Sequence, residues 1–202
     1  MKRSFQAYQR VYLIVSLIVA LIFHVKVIGR ENIPPGAAIV CANHSSWADP
    51  FLIMTAIRNK EQLHMMAKKE LFDFRPLGAI LRGIGSFPVN RSRADITAVK
   101  NTMNYLKEGE KVVIFPEGTR VDEDLSVRAK NGAVRIADKM KVPILPIYIP
   151  RRKKTFGKVE MVIGKPYYVN PEGCNLSNDE YNDRAQQMMQ IISGLRTGGA
   201  AV

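Results

Sequence analysis

The chain begins with its most apolar segment. From Val11 to Phe23, every residue except Ser16 is apolar or aromatic. A membrane-spanning helix needs about 20 apolar residues, and this run is shorter. The pattern therefore favours a helix that inserts into one leaflet or lies along it. Two alternatives stay open: a helix buried in the domain's own core, and a signal peptide, although no small-x-small cleavage site follows the run.

Beyond this segment, short apolar runs alternate with longer amphipathic ones. The short runs contain many β-branched residues and predict strands. They are Val25–Ile28, Ala38–Ala42, Leu63–Ala67, Gly85–Val89, Val112–Phe115, Ile144–Ile149 and Val159–Ile163. Several of these runs are apolar on both faces, which indicates a sheet that is covered on both sides.

The amphipathic runs predict helices. They are Pro50–Ile57, Arg93–Lys107, Lys130–Met140 and Asn178–Leu195. This alternation predicts an α/β fold with a mostly parallel or mixed sheet of about seven strands, covered by helices on both faces. The sequence has no long Pro/Gly/Ser linker. We expect a membrane-associating helix over residues 1–24, a single domain over residues 25–197 and a frayed tail over residues 198–202.

Length and composition agree with one globular domain. The chain has 202 residues, of which 47% are hydrophobic and 24% are charged. These values exclude a disordered chain and a polytopic membrane protein. The two cysteines can form one bridge at most, so a reducing, cytosolic setting is favoured over a disulfide-dependent secreted domain.

The charge balance indicates anionic partners. Thirty basic and 18 acidic residues give a formal net charge of +12, which favours contact with phosphates or anionic lipids. Residues 1–30 carry Lys and Arg but no Asp or Glu. Because these cations flank the apolar run, we expect the chain to lie on an anionic membrane surface, at the cytoplasmic face. Nucleic acid is disfavoured because the sequence contains no recognised binding module or aromatic platform.

His44 and Asp49 follow the predicted strand Ala38–Ala42. On a regular helix, a separation of five positions puts two side chains about 140° apart, so they meet only if residues 44–48 form a turn. Pro50 predicts a helix start with Asp49 at the N-cap. A carboxylate beside the imidazole would make His44 a general base. The alternative is that Asp49 only caps the helix and His44 is a loop histidine, although one carboxylate could perform both roles, with one oxygen for each.

A second loop, residues 83–93, offers groups for binding an anion. Gly83 and Gly85 allow backbone N–H groups to approach an anion, and the planar guanidinium of Arg91 matches a phosphate. The spacing is not a dinucleotide fingerprint, because Pro88 stands at the third glycine position. The alternative is an ordinary loop with solvated arginines.

A third loop reads Phe-Pro-Glu-Gly-Thr-Arg over residues 115–120. Gly118 permits a tight backbone path, and Thr119 and Arg120 add hydrogen-bond donors for a phosphate or a carboxylate. Glu117 and Arg120 could equally form a local ion pair with no further role.

These loops resemble, in order, sequence blocks of the glycerophospholipid acyltransferases, especially the bacterial 1-acylglycerol-3-phosphate acyltransferases. The first block is the HX4D motif of His44 and Asp49, preceded by Asn43. The others are Gly85 with Phe-Pro-Val-Asn-Arg91, the stretch 115–120, and Val142-Pro-Ile-Leu-Pro146. The resemblance covers residues 25–165. The third block is often followed by serine, where this chain has Val121.

The resemblance implies that His44 is the catalytic base and that Asp49 is its partner. It implies transfer of an acyl group from acyl-CoA or acyl carrier protein to the free hydroxyl of lysophosphatidate, which gives phosphatidate. The residues that it places at the acceptor's phosphate are Arg91, Glu117, Gly118, Thr119 and Arg120. Secondary candidates for the site are Lys68, Asn43 and Pro146.

Other chemistries find less support in the sequence. The histidines and cysteines have no metal-ligand spacing, so no metal or cofactor is expected. Cys41 lies in an apolar strand, where a thiol is usually inert. The run Arg151–Lys154 is either a docking surface for lipid or acyl donor, or a solvated loop. Two rival functions remain: a non-enzymatic protein that binds anionic lipid, and an acyltransferase for a different lyso-lipid acceptor.

Overall fold

A seven-stranded sheet forms the centre of this computed structural model, which describes residues 2–57, 62–90, 95–124 and 127–197. For residues 2–5 and 7 only the backbone is described. The strands are β1 (His24–Ile28), β2 (Ala38–Ala42), β3 (Leu63–Lys68), β4 (Ser86–Val89), β5 (Lys111–Ile114), β6 (Ile144–Tyr148) and β7 (Lys158–Ile163). Each of the seven predicted strands is present, with ends that differ by at most one residue.

Six α-helices are present in the described part of the chain. They are α1 (Lys2–Ile22), α2 (Asp49–Ile57), α3 (Arg75–Gly83), α4 (Ile96–Lys107), α5 (Gly132–Met140) and α6 (Asn178–Gly194). Short 3-10 helices cover Arg30–Asn32, Lys69–Phe72 and Leu195–Thr197. The prediction missed α3, whose sequence contains Pro76 and two glycines, residues that weaken a helical pattern. The predicted start of α4 at Arg93 and the predicted tail 198–202 lie outside the described residues.

The strand order is β1-β7-β6-β2-β5-β3-β4. All neighbouring strands run parallel except β6 and β7, which are antiparallel. The five strands from β6 to β4 therefore end at one common edge of the sheet. β1 and β7 run the opposite way and begin at that edge. The predicted α/β fold, with a mostly parallel sheet in one domain, is confirmed.

Alternate residues of the central strands supply two cores. Val40 and Ala42 belong to a cluster with α1, α2 and α3, whereas Ile39 and Cys41 belong to a second cluster with α4, α5 and α6. The β2 side chains alternate between faces because the strand period is two. Both faces are covered, so β2 is buried along its whole length, as its apolar sequence predicts.

Helix α1 packs on the domain through one face and exposes the other. Tyr8 and Val19 are buried in the first core cluster. On the outer face five large aliphatic side chains are between 49% and 66% exposed. They are Leu13, Ile14, Leu17, Ile18 and Leu21. Within the described residues, no helix combines the length and apolarity needed to cross a bilayer. The helix thus packs one face into the core, which was one of the expected alternatives, and presents an apolar surface on the other face. Membrane association of this helix stays a prediction.

Candidate active site

The carboxyl ends of the parallel strands bring two of the three predicted loops together with the loop that follows β6. His44 follows β2, residues 115–120 follow β5, and Arg151 follows β6. These three strands are neighbours in the sheet. In an open α/β sheet, ligand sites form in the crevice beyond the carboxyl ends of the strands. The order β6-β2-β5 therefore places three loops around His44.

His44 and Asp49 are in direct contact. The imidazole Nδ1 lies 2.9 Å from Oδ2 of Asp49, whose side chain is fully buried. Burial raises the pKa of Asp49, but the hydrogen bond to His44 and the charge of Lys153 outweigh it and lower that pKa below its usual range. An ionised carboxylate can only accept hydrogen bonds, so Nδ1 carries the imidazole proton and Nε2 is left as the basic nitrogen.

A turn before α2 brings the two side chains together. The Asp49 N–H donates to the carbonyl of Ser46, and α2 begins at Asp49. Oδ2 of Asp49 also accepts from the N–H groups of Ser45 and Ser46, each at 2.7 Å. One carboxylate oxygen therefore caps the turn and contacts the imidazole at the same time. Our expectation of one oxygen for each role was wrong, because the second oxygen faces Lys153.

The main chain of His44 is held from three directions. Its N–H donates to Oε2 of Glu117 at 2.6 Å, and its carbonyl accepts from the N–H of Val121 at 2.9 Å and from Arg151 at 3.3 Å. The other Glu117 oxygen accepts from Arg151. Burial has the largest effect and raises the pKa of Glu117 above its usual range, although the hydrogen bonds from Arg151 and from the His44 N–H favour the charged form. Glu117 is 4% exposed, so this carboxylate anchors the loop of His44.

The His44 ring lines a small, partly apolar cavity. Phe115 stacks on the imidazole, with ring centroids 4.1 Å apart. The cavity has a volume of about 130 Å³, and His44 shares it with both charged and apolar side chains. The charged ones are Lys68 and Arg120; the apolar ones include Met65, Leu81 and Ile84. A basic nitrogen, two cations and an apolar wall thus face one space.

Arg120 lies over the ring of Trp47, with its guanidinium carbon 4.2 Å from the ring centroid. Both residues line the cavity, and Trp47 is 60% exposed. Stacking on an aromatic face orients a guanidinium and leaves its N–H groups free to bind an anion. Lys68 is exposed at the end of β3, with Nζ 3.6 Å from a carboxylate oxygen of Glu70.

The remaining predicted phosphate-site residues that the structure describes are not among those that line this cavity. Gly118 adopts a left-handed φ of 69°, and a Cβ there would lie 2.8 Å from the Lys130 side chain. This position therefore favours glycine. Thr119 is exposed on the same loop. Arg91 lies outside the described residues.

Two secondary candidates occupy structural positions. Asn43 is buried, and its amide exchanges two hydrogen bonds with the backbone of Ile149, at 2.7 and 2.8 Å. It joins the ends of β2 and β6. Pro146 is buried in the middle of β6, paired with Cys41 of β2. Neither residue is among those that line the cavity beside His44.

The basic run after β6 divides into two pairs. Arg151 and Lys153 have side chains 5% and 4% exposed, and both contact acidic groups of the site. Arg152 and Lys154 are exposed. Sequence reasoning did not assign Arg151 and Lys153 to the site, because their acidic partners are distant in the sequence. The partner of Lys153 lies about a hundred residues earlier, and the partners of Arg151 lie more than twenty residues earlier. Four basic residues in a row carry no sequence pattern that separates the two pairs.

The described residues contain no group of three or more His, Cys, Asp or Glu side chains arranged to hold a metal ion. Cys41 is buried, and burial raises the pKa of its thiol far above the usual range. A neutral, buried thiol is a poor nucleophile.

Comparison with known proteins identifies the family. The sequence model of the family described as Acyltransferase matches residues 24–150. The chain belongs to this family. The match begins at β1 and ends beyond β6, so it contains His44, Asp49, Glu117 and Arg120. The resemblance inferred from the ordered sequence blocks is thereby confirmed.

Named relatives are similar over most of the domain. The protein from Bacillus subtilis (strain 168) named 1-acyl-sn-glycerol-3-phosphate acyltransferase is 39% identical over 159 residues, which cover 76% of this chain and 78% of the relative. A Streptococcus pneumoniae protein of the same name is 38% identical over 54% of this chain and 40% of its own. The crystal structure of the acyltransferase PlsC from Thermotoga maritima matches with a TM-score of 0.73 and 27% identity, over 96% of this chain and 82% of the other.

Proposed function

We propose that the protein transfers a fatty acyl group from a thioester donor to the free hydroxyl of 1-acylglycerol-3-phosphate, which gives phosphatidate. The observation that carries this proposal is the buried His44–Asp49 contact at 2.9 Å, beside a cavity that holds Arg120 and Lys68. The Bacillus subtilis and Streptococcus pneumoniae relatives are named for this activity.

The reaction uses His44 as a general base. Nε2 removes the proton from the acceptor hydroxyl while the oxygen attacks the thioester carbonyl carbon. The new C–O bond forms, the C–S bond breaks, and the leaving thiolate takes up the proton from the imidazolium. Asp49 holds the ring with its proton on Nδ1 throughout, and stabilises the imidazolium while it exists.

The acceptor phosphate is bound by cations around the cavity. Arg120, oriented by Trp47, and Lys68 supply charge-assisted hydrogen bonds. Arg91 belongs to this site by its place in the second sequence block. Gly118 and Thr119 shape the loop and offer hydrogen-bond donors. Glu117 acts indirectly, because it binds the main chain of His44 and the side chain of Arg151. The apolar wall formed by Met65, Leu81 and Ile84 accepts an acyl chain.

The donor is a thioester of coenzyme A or of acyl carrier protein. Both carry negative charge, and Arg152 and Lys154 are exposed on the loop that follows β6. They are the members of the basic run available for docking, because Arg151 and Lys153 are engaged with the site.

The protein works at a membrane surface, on the cytoplasmic side. The outer face of α1 is apolar, and Phe156, 71% exposed, donates its N–H to the carbonyl of Ile22 at the end of that helix. Phe156 lies in the loop that also carries Lys153. The carboxyl end of α1 is therefore on the same edge of the sheet as the cavity, which supports entry of lipid from the bilayer.

The decisive test is the variant His44→Ala in an acyl-transfer assay with lysophosphatidate and both kinds of donor. We expect the rate of phosphatidate formation, measured by mass spectrometry, to fall at least about a hundredfold. His24→Ala is the matched control, because His24 is exposed at the start of β1. Unchanged turnover in His44→Ala would contradict the proposed role of His44 as the general base.

The rival functions are tested with the same preparation. A panel of lyso-lipid acceptors identifies the preferred substrate by product mass. If the wild-type protein binds anionic vesicles and transfers no acyl group from either donor, it is a lipid-binding protein and the proposed reaction is wrong.

A further inference from the structure

Lys153 is the most deeply buried cation of the loop after β6. Its side chain is 4% exposed, whereas its neighbours Arg152 and Lys154 are exposed. Taking an ammonium group out of water is unfavourable unless charges and hydrogen bonds compensate it. The position of Lys153 therefore requires specific partners.

The partners of Lys153 belong to the catalytic loop and to its own turn. Nζ lies 2.9 Å from Oδ1 of Asp49 and donates to Oγ of Ser45 at 2.9 Å. It also donates to the carbonyls of Pro150 at 2.6 Å and Arg151 at 3.4 Å. The three N–H groups of the ammonium are thus used as donors. The positive charge lies beside Asp49.

The two oxygens of Asp49 have different surroundings. Oδ2 accepts from the imidazole of His44 and from two backbone N–H groups. Oδ1 is buried, and among the described residues no hydrogen bond of ordinary geometry reaches it. Its compensation is the ammonium charge of Lys153 at 2.9 Å. Without Lys153, half of this buried carboxylate would face no positive group.

We propose that Lys153 is a positioning residue of the acyl-transfer site, which keeps Asp49 ionised and keeps its Oδ2 turned toward His44. This inference rests on the proposed function and extends it from a pair of residues to a chain of three. The ammonium also opposes a second proton on the neighbouring imidazole, because like charges repel. Lys153 thus favours the neutral, basic form of His44 that the reaction needs.

Several other charged groups face this pair. Glu117 and Arg151 contact the His44 main chain, and Lys68 and Arg120 line the cavity with the imidazole. Glu117 and Arg151 pair with each other, so their charges largely cancel. These groups are unchanged in a Lys153 variant, which isolates the effect of its charge.

The test compares pH profiles of kcat for Lys153→Met, Lys153→Gln and Lys153→Arg. Removing the charge lets the His44–Asp49 pair take up a proton more readily, so the acidic limb should move to higher pH by about one unit. On that limb, kcat should fall about tenfold. Lys153→Gln retains a donor without charge and should behave like Lys153→Met. Lys153→Arg retains the charge and should keep the acidic limb of the wild-type protein.

The matched control is Lys158→Met, which removes the same charge from an exposed position at the start of β7. It should leave the profile unchanged. NMR titration of the His44 imidazole, with its signal assigned by comparison with His44→Ala, follows the same protonation without an activity assay. We expect the pH of half-protonation to rise in Lys153→Met and not in Lys158→Met.

The outcomes separate this inference from the proposed function. If the wild-type protein converts lysophosphatidate and the charge-free variants keep both its acidic limb and its His44 titration, the role of Lys153 is wrong and the mechanism stands. If His44→Ala retains wild-type turnover, the mechanism itself fails. A purely structural role for Lys153 would lower thermal stability without moving the titration of His44, and would also overturn the inference.

Discussion

At the scale of single residues, the site depends on two carboxylates that hold His44 in place. Asp49 orients the His44 ring, and Glu117 holds the His44 main chain. The family resemblance implied a place for Glu117 at the acceptor's phosphate, whereas its two oxygens accept from the His44 N–H and from Arg151. The spacing of His44 and Asp49 correctly required a turn. The sequence could not reveal that Glu117 faces Arg151, or that Lys153 faces Asp49. Those contacts depend on how three loops meet across β6, β2 and β5, which no local pattern encodes.

Glu117→Gln tests the anchoring of His44. The variant leaves Arg151 with a buried charge that its remaining carboxylate partner, Asp124, compensates only in part. Breaking a buried ion pair typically costs about 3 kcal/mol or more. We expect the free energy of unfolding, measured in urea, to fall by about that amount, and kcat to fall with it. Asp122→Asn, on an exposed side chain of the same loop, should match the wild-type protein. If Glu117→Gln is as stable as the wild-type protein, Glu117 does not anchor the loop of His44.

Trp47→Ala tests the orientation of Arg120. A cation–π contact of this kind is worth about 0.5–2 kcal/mol. If Arg120 binds the acceptor phosphate, losing its aromatic support should raise the KM for lysophosphatidate by about two- to thirtyfold and should change kcat little. Phe74→Ala removes an aromatic side chain that is 66% exposed and serves as the control. A change confined to the donor KM would assign Arg120 to the donor instead.

At the scale of elements, the sequence predicted strands better than helices. Apolar, β-branched runs such as β2 are buried on both faces, so their pattern is dense and their limits are clear. The sequence did not predict α3, because Pro76 and two glycines weaken its helical pattern. Its packing on the first core cluster, through Leu81, compensates for these residues. α1 buries one face in the domain, as one predicted alternative required, and exposes an apolar face that is compatible with the predicted membrane contact. Deleting residues 1–24 would therefore uncover the core, and surface substitutions are the better test.

The double variant Leu17→Gln/Leu21→Gln tests the outer face of α1. Both side chains are more than 60% exposed, so thermal stability should change little. Loss of apolar contact with lipid should reduce the fraction of protein that pellets with anionic vesicles. Ile96→Gln is the control, because Ile96 is 69% exposed on α4, which covers the opposite face of the sheet. Undiminished pelleting of the double variant would place the membrane contact elsewhere.

At the scale of the whole molecule, the excess positive charge complements an anionic bilayer. The formal net charge is +12, and the N-terminal 30 residues contain no acid. Each Lys or Arg near an anionic surface contributes about 1 kcal/mol, and salt screens this attraction. We expect vesicle binding, measured by sedimentation, to weaken steeply between about 50 and 500 mM salt, since the Debye length falls severalfold over this range. Binding that is insensitive to salt would mean that apolar contact alone holds the protein.

The pairing of β1 with β7 has a consequence for how the protein is made. Lys26 of β1 meets Glu160 of β7, a partner 134 positions later. Because translation proceeds from the amino terminus, α1 and β1 leave the ribosome long before the strand that completes their edge of the sheet. During that interval the apolar side chains of α1 have no finished domain to pack against. If the protein works at a membrane surface, as proposed, a nearby bilayer offers this helix its first stable environment, and attachment precedes completion of the domain.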